Sequence, residues 1–271
     1  MIFAHDKGRL CNNMLQYGHV YAWGREHQRS SMSLRFAYKY QYFHICQTAR
    51  HNFLLYVLAK YGARWGLLKV VRFDSPDTDM AANEELMRRH SHVLVEGWYA
   101  RWYDLFLKYK AEIIDLFAFN RQVMARPDGL LASLPKADLR LGLHIRRGDY
   151  KTWCDGRYYY TNEQYIGLVK QFMALHPGKT LQLIVCGNDR ELCQDEFREA
   201  LKGSTIVFPC GSPGEDLYLL SQCDYLVGPP STFSLVAAMY RDVPLCWVHD
   251  PMAPLLPGSF RRFDELFREI V

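Results

Sequence analysis

Beyond residue 138 the chain alternates between two hydrophobic periods. Apolar runs of strand length at 139–146, 180–186, 204–208, 225–227 and 243–248 are separated by stretches at 163–175, 190–201, 214–222 and 232–240 that are long enough for helices. Strands joined by crossover helices make a parallel sheet of the Rossmann type. Two helix starts are written out: Thr161-x-x-Gln164 and Ser212-Pro213-Gly214-Glu215 have capping-box spacing, the second with proline at the first helical position. The first half is less regular. It predicts a short opening strand, a turn at Gly8, a helix from about 12 to 28, strands at 67–73 and 92–96, and a helix over 101–124. Arg126-Pro127-Asp128-Gly129 and Leu134-Pro135-Lys136 are turn chemistry, so a lobe boundary is expected between 125 and 138, dividing the chain into 1–130 and 131–271.

Composition narrows the classes. With 271 residues, 49% hydrophobic and 23% charged, the chain is too apolar for disorder and too long for a disulfide framework. The 33 Lys and Arg exceed 29 Asp and Glu by only four, short of the concentrated basic surface of a nucleic-acid binder, although a local phosphate site stays open. The eight cysteines contain no C-x-x-C pair and are expected to be buried free thiols, hence a cytosolic protein. Asp6 and Lys7 arrive too early for a signal peptide, and the longest uncharged stretch, 225–240, is broken by Gly228-Pro229-Pro230, so no spanning helix is expected. Arg261-Arg262 is the one candidate for peripheral contact with the inner face of a membrane, against a solvated helix end.

Three segments carry candidate chemistry. In the strand leading to Arg146-Arg147-Gly148-Asp149, period two puts His144 and Arg146 on one face and Leu141, Leu143 and Ile145 on the other. The charges arrive where the strand ends, and open α/β sheets bind ligands at the carboxyl ends of their strands. A guanidinium there suits a phosphate or carboxylate; the alternative is a surface ion pair. Gly228-Pro229-Pro230-Ser231-Thr232-Phe233-Ser234 is a strand, a turn and a helix start. It offers backbone N–H groups and hydroxyls to an anion, while capping alone would explain Ser231. Gly8-Arg9-Leu10-Cys11-Asn12 enters a helix for which Asn12 would serve as an ordinary cap. Asp77-Thr78-Asp79 has metal-chelating spacing but reads as a solvated acidic turn, and no HExxH, Walker A or G-x-S-x-G occurs.

Together the segments resemble a known family. His144-Ile145-Arg146-Arg147-Gly148-Asp149 resembles the H-x-R-R-x-D signature of the α-1,2-fucosyltransferases, distant relatives of protein O-fucosyltransferases and α-1,6-fucosyltransferases. Gly8 to Tyr17 resembles their opening G-x-L-G-N-Q-M-F-Q-Y, and Ser231 to Ala238 their S-S-F-S-W-W-A-A. Glu96-Gly97-Trp98-Tyr99, Tyr158-Tyr159, Cys186-Gly187-Asn188-Asp189 and Glu215-Asp216-Leu217 echo further motifs in the same order. Departures mark a divergent branch: Cys11, Asn13, Leu15, Thr232 and the pair Leu235-Val236 replace the family's glycine, glutamine, phenylalanine, serine and paired tryptophans. The loss of two aromatic walls bears on the acceptor.

The resemblance implies an α/β, GT-B-like fold of two Rossmann-like lobes, with GDP-fucose in the cleft, the N-terminal lobe on the acceptor side and the C-terminal lobe on the donor side. It implies an inverting transfer of fucose to a glycan hydroxyl, α-1,2 to galactose in a bacterial-type surface glycan, with no cofactor and no metal. Carried over residue by residue, Arg146, Asn12 and Asp149 are the catalytic candidates, and His144, Arg147, Asp189, Ser231, Thr232, Phe233, Ser234 and Arg9 bind the donor. Asp189 would read guanine or cap a helix starting at Arg190, and His5, Asp6 and Asp149 are the available bases. A GDP-sugar transferase of other specificity and a non-catalytic binding protein are the alternatives.

Overall fold

The computed structural model describes residues 1–189 and 192–270. Contacts divide the chain into two units, Met1–Arg121 and Gln122–Val271, and each is built on its own parallel sheet.

The first unit runs β1 (Ile2–His5), α1 (Leu10–Glu26), β2 (Ser31–Ser33), α2 (Phe53–Arg64), β3 (Lys69–Arg72), α3 (Met80–Arg89), β4 (Val93–Glu96), α4 (Tyr103–Lys108) and α5 (Lys110–Leu116). Its four strands pair in the order β2-β1-β4-β3, all parallel. Ile2, Phe3 and Ala4 are all buried, as expected of a strand covered on both faces. The long helix read over 101–124 is in fact broken. A bridge between Phe43 and Phe119, with His44 N–H donating to Ala118 O and Asn120 N–H to Tyr42 O, takes the backbone groups that a continuous helix would use.

The second unit runs α6 (Arg121–Ser133), which opens at the boundary, then β5 (Leu139–Ile145), α7 (Asn162–Leu175), β6 (Leu181–Gly187), α8 (Gln194–Ala200), β7 (Thr205–Val207), α9 (Pro213–Ser221), β8 (Tyr225–Gly228), α10 (Thr232–Arg241) and β9 (Leu245–Trp247). Strand order is β7-β6-β5-β8-β9, all parallel, so the order reverses between β5 and β8. Leu141, Leu143 and Ile145 pack into the core with Leu168 and Phe172, as period two requires. Both capping boxes are formed, at Thr161 with Gln164 and at Ser212 with Glu215. The helix expected over 190–201 spans Gln194–Ala200, and its expected start, 190 and 191, lies outside the described residues.

Arg126-Pro127-Asp128-Gly129 is not a turn. All four residues lie inside α6, with Pro127 buried in its middle. The proline forfeits one helical hydrogen bond, but tertiary bonds hold the segment: Arg126 Nη2 donates to Cys210 O at 2.8 Å, and Tyr218 OH to Asp128 Oδ1 at 2.7 Å. The cysteines are free thiols, but only Cys11, Cys186, Cys223 and Cys246 are buried. Cys46 is half-buried, and Cys154, Cys193 and Cys210 are exposed.

Candidate functional site

Two glycines flank the end of β5. A Cβ on Gly187 of β6 would lie 2.5 Å from Ile145 O, and one on Gly228 of β8 would lie 2.6 Å from His144 O. Only glycine lets both neighbours close on the strand where the chain turns out into Arg146-Arg147. Gly148 follows at φ +46°, with Asn188 Nδ2 2.8 Å from where its Cβ would be. Backbone freedom is thus required at this turn.

The adjacent arginines have opposite environments. Arg147 is embedded: Nη1 donates to Asp189 Oδ2 at 2.7 Å, Nη2 to Asn162 Oδ1 at 2.6 Å, and Nε to Tyr160 O at 3.0 Å. It fixes the loop, and Asp189 is its counter-ion. Asp189 does not cap α8, which begins at Gln194 with Cys193 as its N-cap. Arg146 is less committed. Nη2 reaches Asp149 Oδ2 at 2.9 Å, the guanidinium lies 5.3 Å from the centre of the Tyr150 ring, and Nε is buried without a hydrogen bond among the described residues.

Two contacts join this loop to the start of α10. The His144 ring stacks on Phe233, centroids 5.2 Å apart at 27°, and Tyr150 OH donates to Pro230 O at 2.5 Å. Burial, with Arg146 nearby, pushes the His144 imidazole down to about 3, so it is neutral. Ser231 caps α10, accepting from Phe233 N–H at 3.2 Å. Ser234 faces inward: its hydroxyl donates to Ser231 O at 3.1 Å and accepts from Trp247 Nε1 at 3.3 Å. His144, Arg146, Tyr150, Ser231 and Phe233 therefore assemble where the strand order reverses, beside the positive end of the α10 dipole. Leu235 and Val236 are fully buried, so the residues that replace the tryptophan pair alter core packing rather than a sugar-facing wall.

Asp216 is the residue that reading the sequence missed. It stands in the first turn of α9, half-buried, and its buried Oδ1 has no hydrogen-bond partner among the described residues. Burial, then the neighbouring Glu215, pushes its carboxyl up to about 7. The signal was Glu215-Asp216-Leu217: with Glu215 folded back onto Ser212 N–H at 2.6 Å, Asp216 is the acid left to face inward. A separate cavity of about 540 Å³ opens between α6 and the loop after β7, lined by Arg126, Leu130, Phe208, Cys210 and Glu215 among others. None of the Arg146 cluster lines it.

In the first unit, the turn after β1 is built by Gly8 at φ +91°, whose missing Cβ leaves room for the Asn12 amide 2.8 Å away. That accounts for the glycine–asparagine spacing. Gln16 ties the turn, donating to Lys7 O at 2.6 Å and accepting from Lys7 N–H at 3.1 Å. Asn12 is not the cap: Arg9 holds the N-cap position without a side-chain capping bond, and Asn12 lies inside the helix. Of the bases considered, His5 Nδ1 pairs with Glu96 at 2.6 Å. Asp6 is buried, accepts from the Ser33 hydroxyl and is pushed up to about 8 by burial. Asp79 caps α3, accepting from Ala82 N–H at 3.0 Å, as suits an acidic turn.

A cationic loop and a helix N-terminus that meet where the strand order of a parallel sheet reverses form the arrangement in which open α/β folds bind phosphate-bearing ligands. Residues 122–242, within the second unit, match the family model for Glycosyl transferase family 11. A mutant of Arabidopsis thaliana FUT1 in complex with GDP shares the fold at TM-score 0.66 and 14% identity over 96% of this chain and 73% of that one. POFUT1 in complex with GDP-fucose gives 0.63 and 12%, over 89% and 94%, and NodZ alpha-1,6-fucosyltransferase soaked with GDP-fucose gives 0.55 and 14%, over 90% and 94%. No curated protein matches the chain. Family match and fold mark the chain as a glycosyltransferase with the architecture of fucosyltransferases.

Proposed function

We propose that the protein transfers fucose from GDP-fucose to a glycan hydroxyl, forming an α-1,2 linkage to galactose. The observation that carries the donor half is Arg146, a guanidinium with a buried, unbonded Nε set beside the start of α10. As the bond from the sugar C1 to the phosphate oxygen breaks, negative charge builds on the β-phosphate of GDP. A two-pronged Arg146 and the α10 N-terminus meet that charge where it develops. Asp149 holds the guanidinium in place, and Arg147 with Asp189 holds the loop. Recognition of guanine falls to Asp216 rather than Asp189, because a carboxylate oxygen without a partner accepts from guanine N1–H and N2–H₂, a donor pair adenine lacks. Arg9 and Asn12 are assigned to the reaction by resemblance alone, as is the choice of galactose.

Thermal unfolding tests the donor. GDP at about a hundred times its Kd should stabilise the protein by about 2.7 kcal/mol, and ADP and UDP should not. Asp216→Asn should abolish the preference for GDP over ADP. Equal shifts from the three nucleotides would overturn the assignment. Incubation with GDP-fucose and a galactoside, followed by linkage analysis of the product, tests the acceptor half separately.

A further inference from the structure

The apolar side of α2 faces solvent. Leu54, Leu58, Tyr61 and Trp65 recur at intervals of four, three and four residues and form one stripe along the helix and its end. Leu54 is 68% exposed, Leu58 58% and Trp65 69%; Phe53 and Leu67 extend the stripe at 63% and 76%. The opposite face packs on the first unit through the buried Ala59 and Gly62. Leu55 and Tyr56 also pack inward, half-buried against the core, so the helix is apolar on both sides and the outer stripe is left in solvent.

Charge identifies what covers this stripe. From His27 to Phe73 the chain holds eight Lys and Arg and no Asp or Glu, so this segment alone is +8 in a chain whose total is +4. Arg50, Lys60, Arg64 and Lys69, all exposed, stand on α2 and its flanks. On the helix, Lys60 and Arg64 run along one edge of the stripe, a turn apart. Leucines with an aromatic ring at one end and a cationic edge fit the boundary of a lipid bilayer with an anionic surface: acyl chains take the leucines, the headgroup layer takes Trp65 and Tyr61, and the phosphates take the lysine and arginines. Among the described residues no helix is long and apolar enough to cross a membrane, so the contact lies on the surface. We infer that α2 is a membrane-docking helix for anionic bilayers, in place of Arg261-Arg262. Both of those arginines are committed within the fold, Arg261 to Glu269 at 2.5 Å and Arg262 through its Nη1 to Asp242 O.

The test is sedimentation of the full chain with vesicles of phosphatidylcholine alone, or with about a third phosphatidylglycerol. The protein should pellet with the anionic vesicles only, less so as salt rises, with a blue shift in tryptophan emission that Trp65→Phe removes. Leu54→Ser/Leu58→Ser/Trp65→Ser should abolish binding, and Lys60→Glu/Arg64→Glu should weaken it at least about tenfold. Circular dichroism and the melting temperature check that each variant folds, and the charge variant, altered only at exposed positions, serves if the triple variant does not. Failure of the parent protein to pellet with anionic vesicles would overturn the inference. So would binding unchanged in the charge variant, or a dimer that the leucine substitutions split into monomers, which would make the stripe a contact between copies or with another protein.

Discussion

Replacing Arg146 by methionine keeps the length of the side chain and removes the guanidinium. Without ligand the loss in stability should be small. The ion pair with Asp149 is 41% exposed on the acid side, and such pairs are worth about 0–1 kcal/mol. Against it stands the buried Nε with no partner, whose desolvation costs about 1–3 kcal/mol. The melting temperature should therefore hold or rise, at about 2–4 °C per kcal/mol for a protein of this size. Turnover should move the other way. A charge-assisted hydrogen bond contributes about 1.5–3 kcal/mol, so losing one slows the reaction about 10- to 150-fold, and losing a two-pronged contact slows it further. Arg147→Met is the mirror image. Its ion pair with Asp189 is 11% and 15% exposed, and stranding a buried acid costs about 3–5 kcal/mol, or about 6–20 °C. Differential scanning fluorimetry and GDP release read the two axes. An Arg146→Met protein that melts as early as Arg147→Met, yet turns over within about threefold of the parent, would show that Arg146 is a structural residue and that the donor phosphate is met elsewhere.

Two further outcomes test the packing around the site. Burial lowers His144 to about 3 and His51 to about 4, against 6.5 when exposed, so both stay neutral in the fold and take up a proton on unfolding. Each histidine therefore lowers stability by up to about 1.4 kcal/mol per pH unit below 6.5, while Asp6 and Asp216, raised to about 8 and about 7, contribute the opposite slope over the same range. A His51→Gln protein whose denaturant midpoint depends on pH between about 6.5 and 5 just as the parent's does would contradict it. Gly228→Ala would put a Cβ 2.6 Å from the His144 carbonyl oxygen and should cost at least about 2 kcal/mol, whereas Gly258→Ala, with nothing within 4 Å, should be nearly neutral.

The hydrophobic rhythm alone was enough for the second sheet, because its strands and helices each satisfy their period locally and two of the helices carry their own capping boxes. The rhythm failed where long-range bonds overrule local preference, as in Pro127 held inside α6 by the tethers of Arg126 and Asp128, and in the helix interrupted by the Phe43–Phe119 bridge. The same division runs through the site. Sequence placed two arginines at the end of a strand, since charge after an apolar run marks where a strand leaves the core. Which of them can turn to a ligand was decided by partners 13 to 42 positions away, at Tyr160, Asn162 and Asp189, which occupy Arg147 and leave Arg146 with the half-exposed Asp149 alone as its ion-pair partner among the described residues. Asp216 became visible in the same way: an acid with no partner is defined by everything packed around it, and no spacing along the chain encodes that.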